Sequence, residues 1–293
     1  MTLSNPKELK SVIERHGFSF SKSLGQNFLI DQSILDKIVE GAGIDKSWGV
    51  LEIGPGAGTL TRELANTAGK VVAVEIDKSL ENLLAETLAD FENAEVVFAD
   101  IMKTDIRALL AEKFRNMPVA VVANLPYYIT TPIIMTFLEN EIPVKSLTVM
   151  VQKEVAERMA ASPGGKDYGA LSAAVSFYTK PKIVCSAEPH CFLPQPKVAS
   201  TVITLSVLDK PSVEVSDKDF MFKIIKSAFG QRRKTLLNAL SKSPYVALEK
   251  SSVSAALESL GLDSSIRGEK LSLSDFAQLS DILKPRGIEP HKL

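Results

Sequence analysis

The chain alternates short apolar runs with stretches whose apolar residues recur at helical spacing. Between Val50 and Leu208 the runs read VLEI, VVAVEI, AEVVF, VAVVAN, LTVMV, KIVCSA and STVITLSV. Helical patterns separate the first five and precede the sixth. Apolar runs of this length, bounded by polar turns, suit strands buried on both faces of a mostly parallel sheet. The pattern predicts an α/β, doubly wound domain of Rossmann-like type. No helix of useful length separates the last two runs, so they predict an antiparallel pair closing one edge of the sheet. The loop inside that pair, CFLPQPKVAS, is rich in proline.

Ahead of the sheet an amphipathic segment runs from Pro6 to Arg15, followed by the polar stretch SFSKSLGQNFL. A helix is then predicted from Asp31, whose carboxylate suits an N-cap. Beyond Leu208, DKPSVEVSD reads as a linker, and helix-like segments continue from Asp217 to Lys284 without β alternation. The expected division is a large α/β domain with an N-terminal lid over residues 1–208 and a small C-terminal helical domain over residues 209–293. The chain has no internal repeat and no low-complexity tract.

Composition sharpens this picture. With 293 residues, 45% of them hydrophobic, the chain can bury a sizeable core, which excludes a mainly disordered protein. Thirty-four basic residues against thirty-five acidic ones leave a net charge of -1, so the total gives no reason to expect a polyanionic partner. The partition does: residues 50–140 hold 7 basic and 13 acidic side chains, whereas residues 210–293 hold 14 and 10. A nucleic-acid surface would therefore be local to the basic half. Cys185 and Cys191 are too few for a disulfide framework, and no stretch reaches the roughly 18 apolar residues of a membrane span. A soluble, cytoplasmic protein is expected. His16, His190 and His291 lie far apart, in no metal-ligand spacing, and no metal is expected.

The candidate chemistry begins at VLEIGPGAGTL. Gly54, Gly56 and Gly58 follow a buried strand and open a helix, where the absence of side chains lets a ligand approach the backbone and a helix N-terminus favours an anionic group. Thr59 stands where a dinucleotide fingerprint has its third glycine, which counts against NAD or FAD. Glu75 ends the next strand, 21 residues after Gly54, placed to accept both hydroxyls of a ribose, with Asp77 as a nearby alternative. Asp100 ends the third strand and suits an adenine amine, while Ile76 and Ile101 offer apolar faces to the ring. Together these residues describe an adenosine site without a pyrophosphate, that is, an S-adenosylmethionine or nucleotide site.

The fourth strand ends in NLPYYITTP. Asn124 and the main-chain carbonyls of the Leu125–Pro126 turn could grip an amine by both hydrogens. The exocyclic amine of adenine needs such help, because its lone pair is delocalised into the ring until acceptors draw it towards tetrahedral geometry. Tyr127 could stack on the base. Phe28 and Phe192 sit in polar or proline-rich surroundings, where rings are expected to face a ligand, and Gln26, Asn27 and Leu29 could cover the cofactor as part of a lid. In the basic half, Arg232, Arg233 and Lys234 form a knot at a helix start, where cations oppose the helix dipole and phosphate neutralisation accounts for them better. Lys22, Arg158 and Lys197 are weaker candidates for the same surface.

These strings resemble the ribosomal RNA adenine dimethyltransferases, most closely their small-subunit branch. The matching segments are QNFLID at 26–31, EIGPGAGTLT at 52–61, VEID at 74–77, ADIM at 99–102, NLPYYIT at 124–130, FLPQPKVAS at 192–200 and FGQRRKTL at 229–236, spread over almost the whole chain. The resemblance implies a class I S-adenosylmethionine-dependent methyltransferase domain carrying a small helical domain. It implies two methylations on each of two adjacent adenosines in a hairpin loop near the 3′ end of 16S rRNA, within an immature 30S subunit, by an enzyme expected to be monomeric. By the family pattern Asn27, Leu29, Gly54, Glu75, Asp100 and Asn124 would touch the donor or the reaction centre, and Tyr127 and Phe192 would hold the target base. Loss of such enzymes in bacteria goes with kasugamycin resistance. The macrolide-resistance branch, which acts on 23S rRNA, usually carries NIPY or NIPF where this chain has NLPY. DNA adenine methyltransferases favour an acidic first residue and a second proline, which Asn124 and Leu125 do not provide, and a noncatalytic assembly factor is the other alternative.

Overall fold

The computed structural model describes residues 2–21, 24–246 and 248–284, so Lys22 lies outside the described residues. Among the described residues the chain forms two compact units, one within residues 2–156 and 180–207, the other within residues 157–179 and 208–284. The helical unit takes in residues 157–179 besides the stretch that begins at Leu208.

In the first unit the strands are β1 (Phe28–Leu29), β2 (Gly49–Ile53), β3 (Lys70–Glu75), β4 (Ala94–Phe98), β5 (Val119–Asn124), β6 (Ser146–Gln152), β7 (Thr179–Ala187), β8 (Phe192–Leu193) and β9 (Ser200–Val207). Seven of them form one sheet in the order β4-β3-β2-β5-β6-β9-β7. The first five in that order pair in parallel. β9 runs antiparallel to β6, from Ser146 opposite Ser206 to Gln152 opposite Ser200. The last two apolar runs, β7 and β9, occupy one edge of the sheet as the sequence pattern predicted, with β9 next to β6 and β7 outermost. Burial explains the order: β9 is buried at six successive positions, whereas most of β7 is accessible and suits an edge.

The helices follow in chain order: α1 (Pro6–Arg15), α2 (Gln32–Ala42), α3 (Thr59–Thr67), α4 (Glu81–Thr87), α5 (Ile106–Phe114), α6 (Thr130–Glu139) and α7 (Lys153–Met159). Asp31 caps α2 by accepting from the Ile34 amide at 3.3 Å, as its position before the apolar periodicity predicted. Leu35 and Ile38 of α2 and Leu60 and Leu64 of α3 pack with Val50, Val71, Ala120 and Val122, which covers one face of the sheet. The register aligns the carboxyl ends of β2, β3, β4 and β5 along one edge. Between β2 and β5 the strand order changes direction, and open α/β sheets bind ligands outside such a switch point.

The second unit contains α8 (Ala170–Tyr178), α9 (Lys218–Gly230), α10 (Leu236–Ser241), α11 (Lys250–Ser259) and α12 (Leu273–Leu283). Residues 157–179 join it through aromatic packing. Phe177 meets Phe222 edge-on at 5.2 Å and Tyr168 meets Phe229 at 5.6 Å, while Phe229 also packs on Phe276 at 6.0 Å. Ser272 and Asp275 close a reciprocal capping box at the start of α12.

Candidate active site

A pocket opens at the carboxyl edge of the parallel strands. Asn27, Leu29, Gly54, Gly56, Glu75, Ile76, Asp100, Ile101, Asn124 and Tyr127 all line it. Gly58 does not. Its φ of +84° forms the N-cap of α3, and a side chain there would press on Thr87 Oγ1 at 3.0 Å, so this glycine serves helix packing. Gly56, at φ +57°, lies so close to Phe28 that a Cβ would come within 2.7 Å of its ring. Phe28 is itself 6% exposed and stacks on Phe18, so it supports the glycine loop while lining the pocket.

Phe192 departs from the expected exposed ring. It is 2% exposed and packs in the core with Leu29, Leu35 and Ile38. The reason is the β1–β8 pairing, which sets Leu29 opposite Phe192 and turns both inward. The proline-rich loop acts on the pocket through its last residue instead: the hydroxyl of Ser200 hydrogen-bonds that of Tyr127 at 2.7 Å. Burial pushes the Tyr127 phenol up, so it stays neutral. Its neighbour Tyr128, also lining the pocket, is 60% exposed. Sequence reading passed over Tyr128 because nothing in the NLPYY string says which of the two rings faces solvent.

Asn124 gives its Nδ2 hydrogen to the main-chain carbonyl of Asn27 at 2.9 Å. A carbonyl only accepts, so this bond fixes the amide rotamer and leaves Oδ1 as the acceptor. The Pro126 carbonyl, one of the two proposed grips, already accepts from the Ile129 amide at 3.2 Å and the Thr130 hydroxyl at 3.0 Å. The Leu125 carbonyl is the remaining main-chain acceptor of the turn.

The acidic residues divide by environment. Burial pushes the Glu75 carboxyl up, against hydrogen bonds from the amides of Asp77 at 2.8 Å and Gly56 at 3.3 Å. Asp77 is partly buried, yet hydrogen bonds from Ser79 and Gln26 hold its carboxyl below the ordinary value. Gln26 thereby ties the N-terminal segment to the end of β3, with Nε2 on Asp77 at 2.7 Å and Oε1 accepting from the Ser21 amide at 2.7 Å. Asp100 accepts from the Met102 amide at 3.0 Å and faces Lys103 at 3.4 Å. Glu52, missed in the sequence because it reads as an interior strand position, lines the pocket at 1% exposure.

The pocket suits S-adenosylmethionine on a physical ground. Glu52 Oε2 and Thr59 Oγ1 both belong to lining residues, are buried, and have no hydrogen-bond partner among the described residues. Groups with that deficit are satisfied by a ligand bearing an ammonium and a carboxylate. Ile76, 52% exposed, offers the apolar surface an adenine needs.

In the helical unit, Arg232, Arg233 and Lys234 are exposed in the turn before α10, whose N-cap is Thr235. Arg232 also reaches Glu269 at 3.6 Å and the Lys166 carbonyl at 2.7 Å. Arg158 and Lys197 are exposed as well.

The fold and the pocket define a class I S-adenosylmethionine-dependent methyltransferase. Residues 17–284 match the family described as Ribosomal RNA adenine dimethylase, and the chain belongs to that family. It is thus an S-adenosylmethionine-dependent rRNA adenine dimethyltransferase. A relative in Alkaliphilus oremlandii, named Ribosomal RNA small subunit methyltransferase A, is 53% identical over 96% of this chain and 98% of its own length. The crystal structure of a dimethyladenosine transferase from Plasmodium falciparum is 30% identical, with a TM-score of 0.71 over 86% of this chain and 95% of that one. The crystal structure of the 23S rRNA methyltransferase ErmE is 26% identical, with a TM-score of 0.67 over 88% of this chain and 99% of that one.

Proposed function

We propose that the protein dimethylates the exocyclic amines of two adjacent adenosines in a 3′-terminal hairpin loop of 16S rRNA, acting as a cytoplasmic monomer on an immature 30S subunit. The small-subunit relative supports this choice of RNA, since it is 53% identical while the 23S enzyme is 26% identical. The observation that carries the chemistry is the Asn124–Asn27 bond at 2.9 Å, because it presents an amide oxygen at the end of β5 as a fixed acceptor.

When bound, S-adenosylmethionine supplies an electrophilic methyl group. Gly54 and Gly56 let it approach the backbone beside the N-terminus of α3. Glu75 holds the ribose hydroxyls, and Ile76, Asp100 and Ile101 receive the adenine. In the first transfer Asn124 Oδ1 and the Leu125 carbonyl accept the two hydrogens of the target amine and turn its lone pair towards the methyl group; in the second, one of them accepts the single hydrogen that remains, and each transfer releases one proton to solvent. The gain comes from orientation and fixed dipoles, so no strong base has to act before attack. Tyr127 and Tyr128 form the aromatic surface for the target base. Arg232, Arg233 and Lys234 neutralise phosphates and so position the RNA, while the pocket reads the base.

The deciding experiment incubates the protein and labelled donor with undermethylated 30S subunits, 50S subunits and DNA, then maps the modified adenines. Two adjacent dimethylated adenosines in the 30S sample are expected. Methylation confined to 50S subunits or DNA would reject the proposal.

A further inference from the structure

We infer that Asp31, His190 and Cys191 form a binding site for a divalent transition-metal ion of the zinc class, separate from the methyl-transfer pocket. One ligand atom from each lies within 4.8 Å of the other two. None of the three lines the pocket. Sequence spacing concealed the set, because Asp31 stands 160 residues from Cys191. The β1–β8 pairing brings the two segments together.

The donor chemistry selects the ion. A thiolate, an imidazole and a carboxylate suit zinc, whereas magnesium and calcium prefer oxygen alone. Three protein ligands leave a fourth tetrahedral position for water. Tetrahedral bonds of roughly 2.0–2.3 Å set ligand atoms about 3.5 Å apart, the separation that Asp31 Oδ2 and Cys191 Sγ already have at 3.5 Å, so the adjustment falls to His190. His190 is exposed and has room to turn.

The other two ligands are already positioned. Asp31 uses Oδ1 for its helix cap, accepting from the Ile34 amide at 3.3 Å and the Ser33 hydroxyl at 2.7 Å. Its other oxygen, Oδ2, accepts from Cys191 Sγ at 3.5 Å. A metal would take the place of the thiol hydrogen between these atoms without disturbing the cap. As the metal–sulfur bond forms, the thiol proton passes to solvent. The Cys191 main chain is held from both sides: its amide donates to the Glu188 carbonyl at 3.0 Å and its carbonyl accepts from the Ile30 amide at 2.8 Å. His190 belongs to the same single turn, Pro189–Cys191.

The consequence is mechanical. An ion here fastens the segment Phe28–Asp31 to the turn that leads into Phe192, behind the loop whose Asn27 carbonyl orients Asn124. It would add stability to the folded state alone, because the unfolded chain does not bring the ligands together. The site does not depend on which RNA is methylated.

Cobalt(II) tests it on the full chain after chelator treatment. The expected result is one equivalent bound with a thiolate-to-cobalt charge-transfer band, displaced by zinc. Cys191→Ser should abolish the band while still binding S-adenosylmethionine. His190→Ala, at an exposed position, should weaken cobalt binding by at least about tenfold, and Asp31→Asn should act in the same direction. Cys185→Ser should change nothing. Zinc should raise the thermal midpoint of the unaltered protein and leave that of the His190→Ala variant nearly unmoved. The inference is overturned if the unaltered protein shows no saturable band, if His190→Ala binds cobalt as tightly as the parent, or if the band is lost in Cys185→Ser.

Discussion

The side-chain amide of Asn124 is anchored by the main-chain carbonyl of Asn27, 2.9 Å away, so the N-terminal lid segment sets the orientation of the residue at the reaction centre. Removing the amide should therefore separate binding from chemistry. Asn124→Ala should bind S-adenosylmethionine within about threefold of the parent, under 1 kcal/mol, by calorimetry. Single-turnover methyl transfer should fall by about 10²-fold or more, the usual loss when one fixed dipole is removed from a reaction centre. Equal product formation by the two proteins would sink the assigned role.

Tyr127 and Ser200 separate ring from hydroxyl. Their hydrogen bond of 2.7 Å is a positioning contact, so Tyr127→Phe should lower kcat/KM by no more than about tenfold. Tyr127→Ala removes the ring as well and should cost roughly 1–3 kcal/mol of transition-state binding, the worth of one base–aromatic stack. If the two variants are equally impaired, the hydroxyl matters and stacking does not.

Glu52 should make stability depend on pH. Burial, assisted by the charge of Glu75, pushes its carboxyl from an ordinary 4.5 up to about 8. The folded protein keeps a proton that the unfolded chain releases across this window. This contribution is fully present below 4.5 and is lost as pH rises towards 8, by at most about 1.4 kcal/mol per pH unit. Glu52→Gln, which mimics the neutral acid, should flatten that slope. Urea unfolding at pH 6 and pH 8 should show the variant gaining roughly 1–2 kcal/mol on the parent between the two. Parallel pH profiles would mean that Glu52 does not carry the effect.

Arg233 and Lys234 should act through phosphate alone. Replacing both by Ala should weaken RNA binding across sequences and reduce the slope of log K against log salt by about 0.7–0.9 for each phosphate no longer neutralised. Donor affinity should not change. A salt slope equal to the parent's would remove this turn from the RNA surface.

Much of the first unit was legible in the chain because its signals are local. Seven apolar runs became the seven strands of one sheet, since short apolar runs bounded by polar turns suit strand pairing. Gly54, Gly56, Glu75, Asp100 and Asn124 could be grouped because strand ends recur in order, and a parallel sheet sends all of them to one edge. Sequence alone therefore determined the α/β class, the family, the strand ends that line the pocket and the partition of charge.

Tertiary structure decided what depends on partners distant in the chain. It placed β9 inside the sheet and β7 at its edge, because only packing tells which apolar strand is covered on both sides. It buried Phe192 against Leu29 and left Tyr128 in solvent, a choice that residue type cannot make. It committed the Pro126 carbonyl to α6 and anchored Asn124 to Asn27 across 97 residues. It also drew Asp31, His190 and Cys191 together. Composition and periodicity report what a segment needs, namely burial, a cap or a turn. Which distant group satisfies that need is settled by pairing and register, which exist only once the chain has folded.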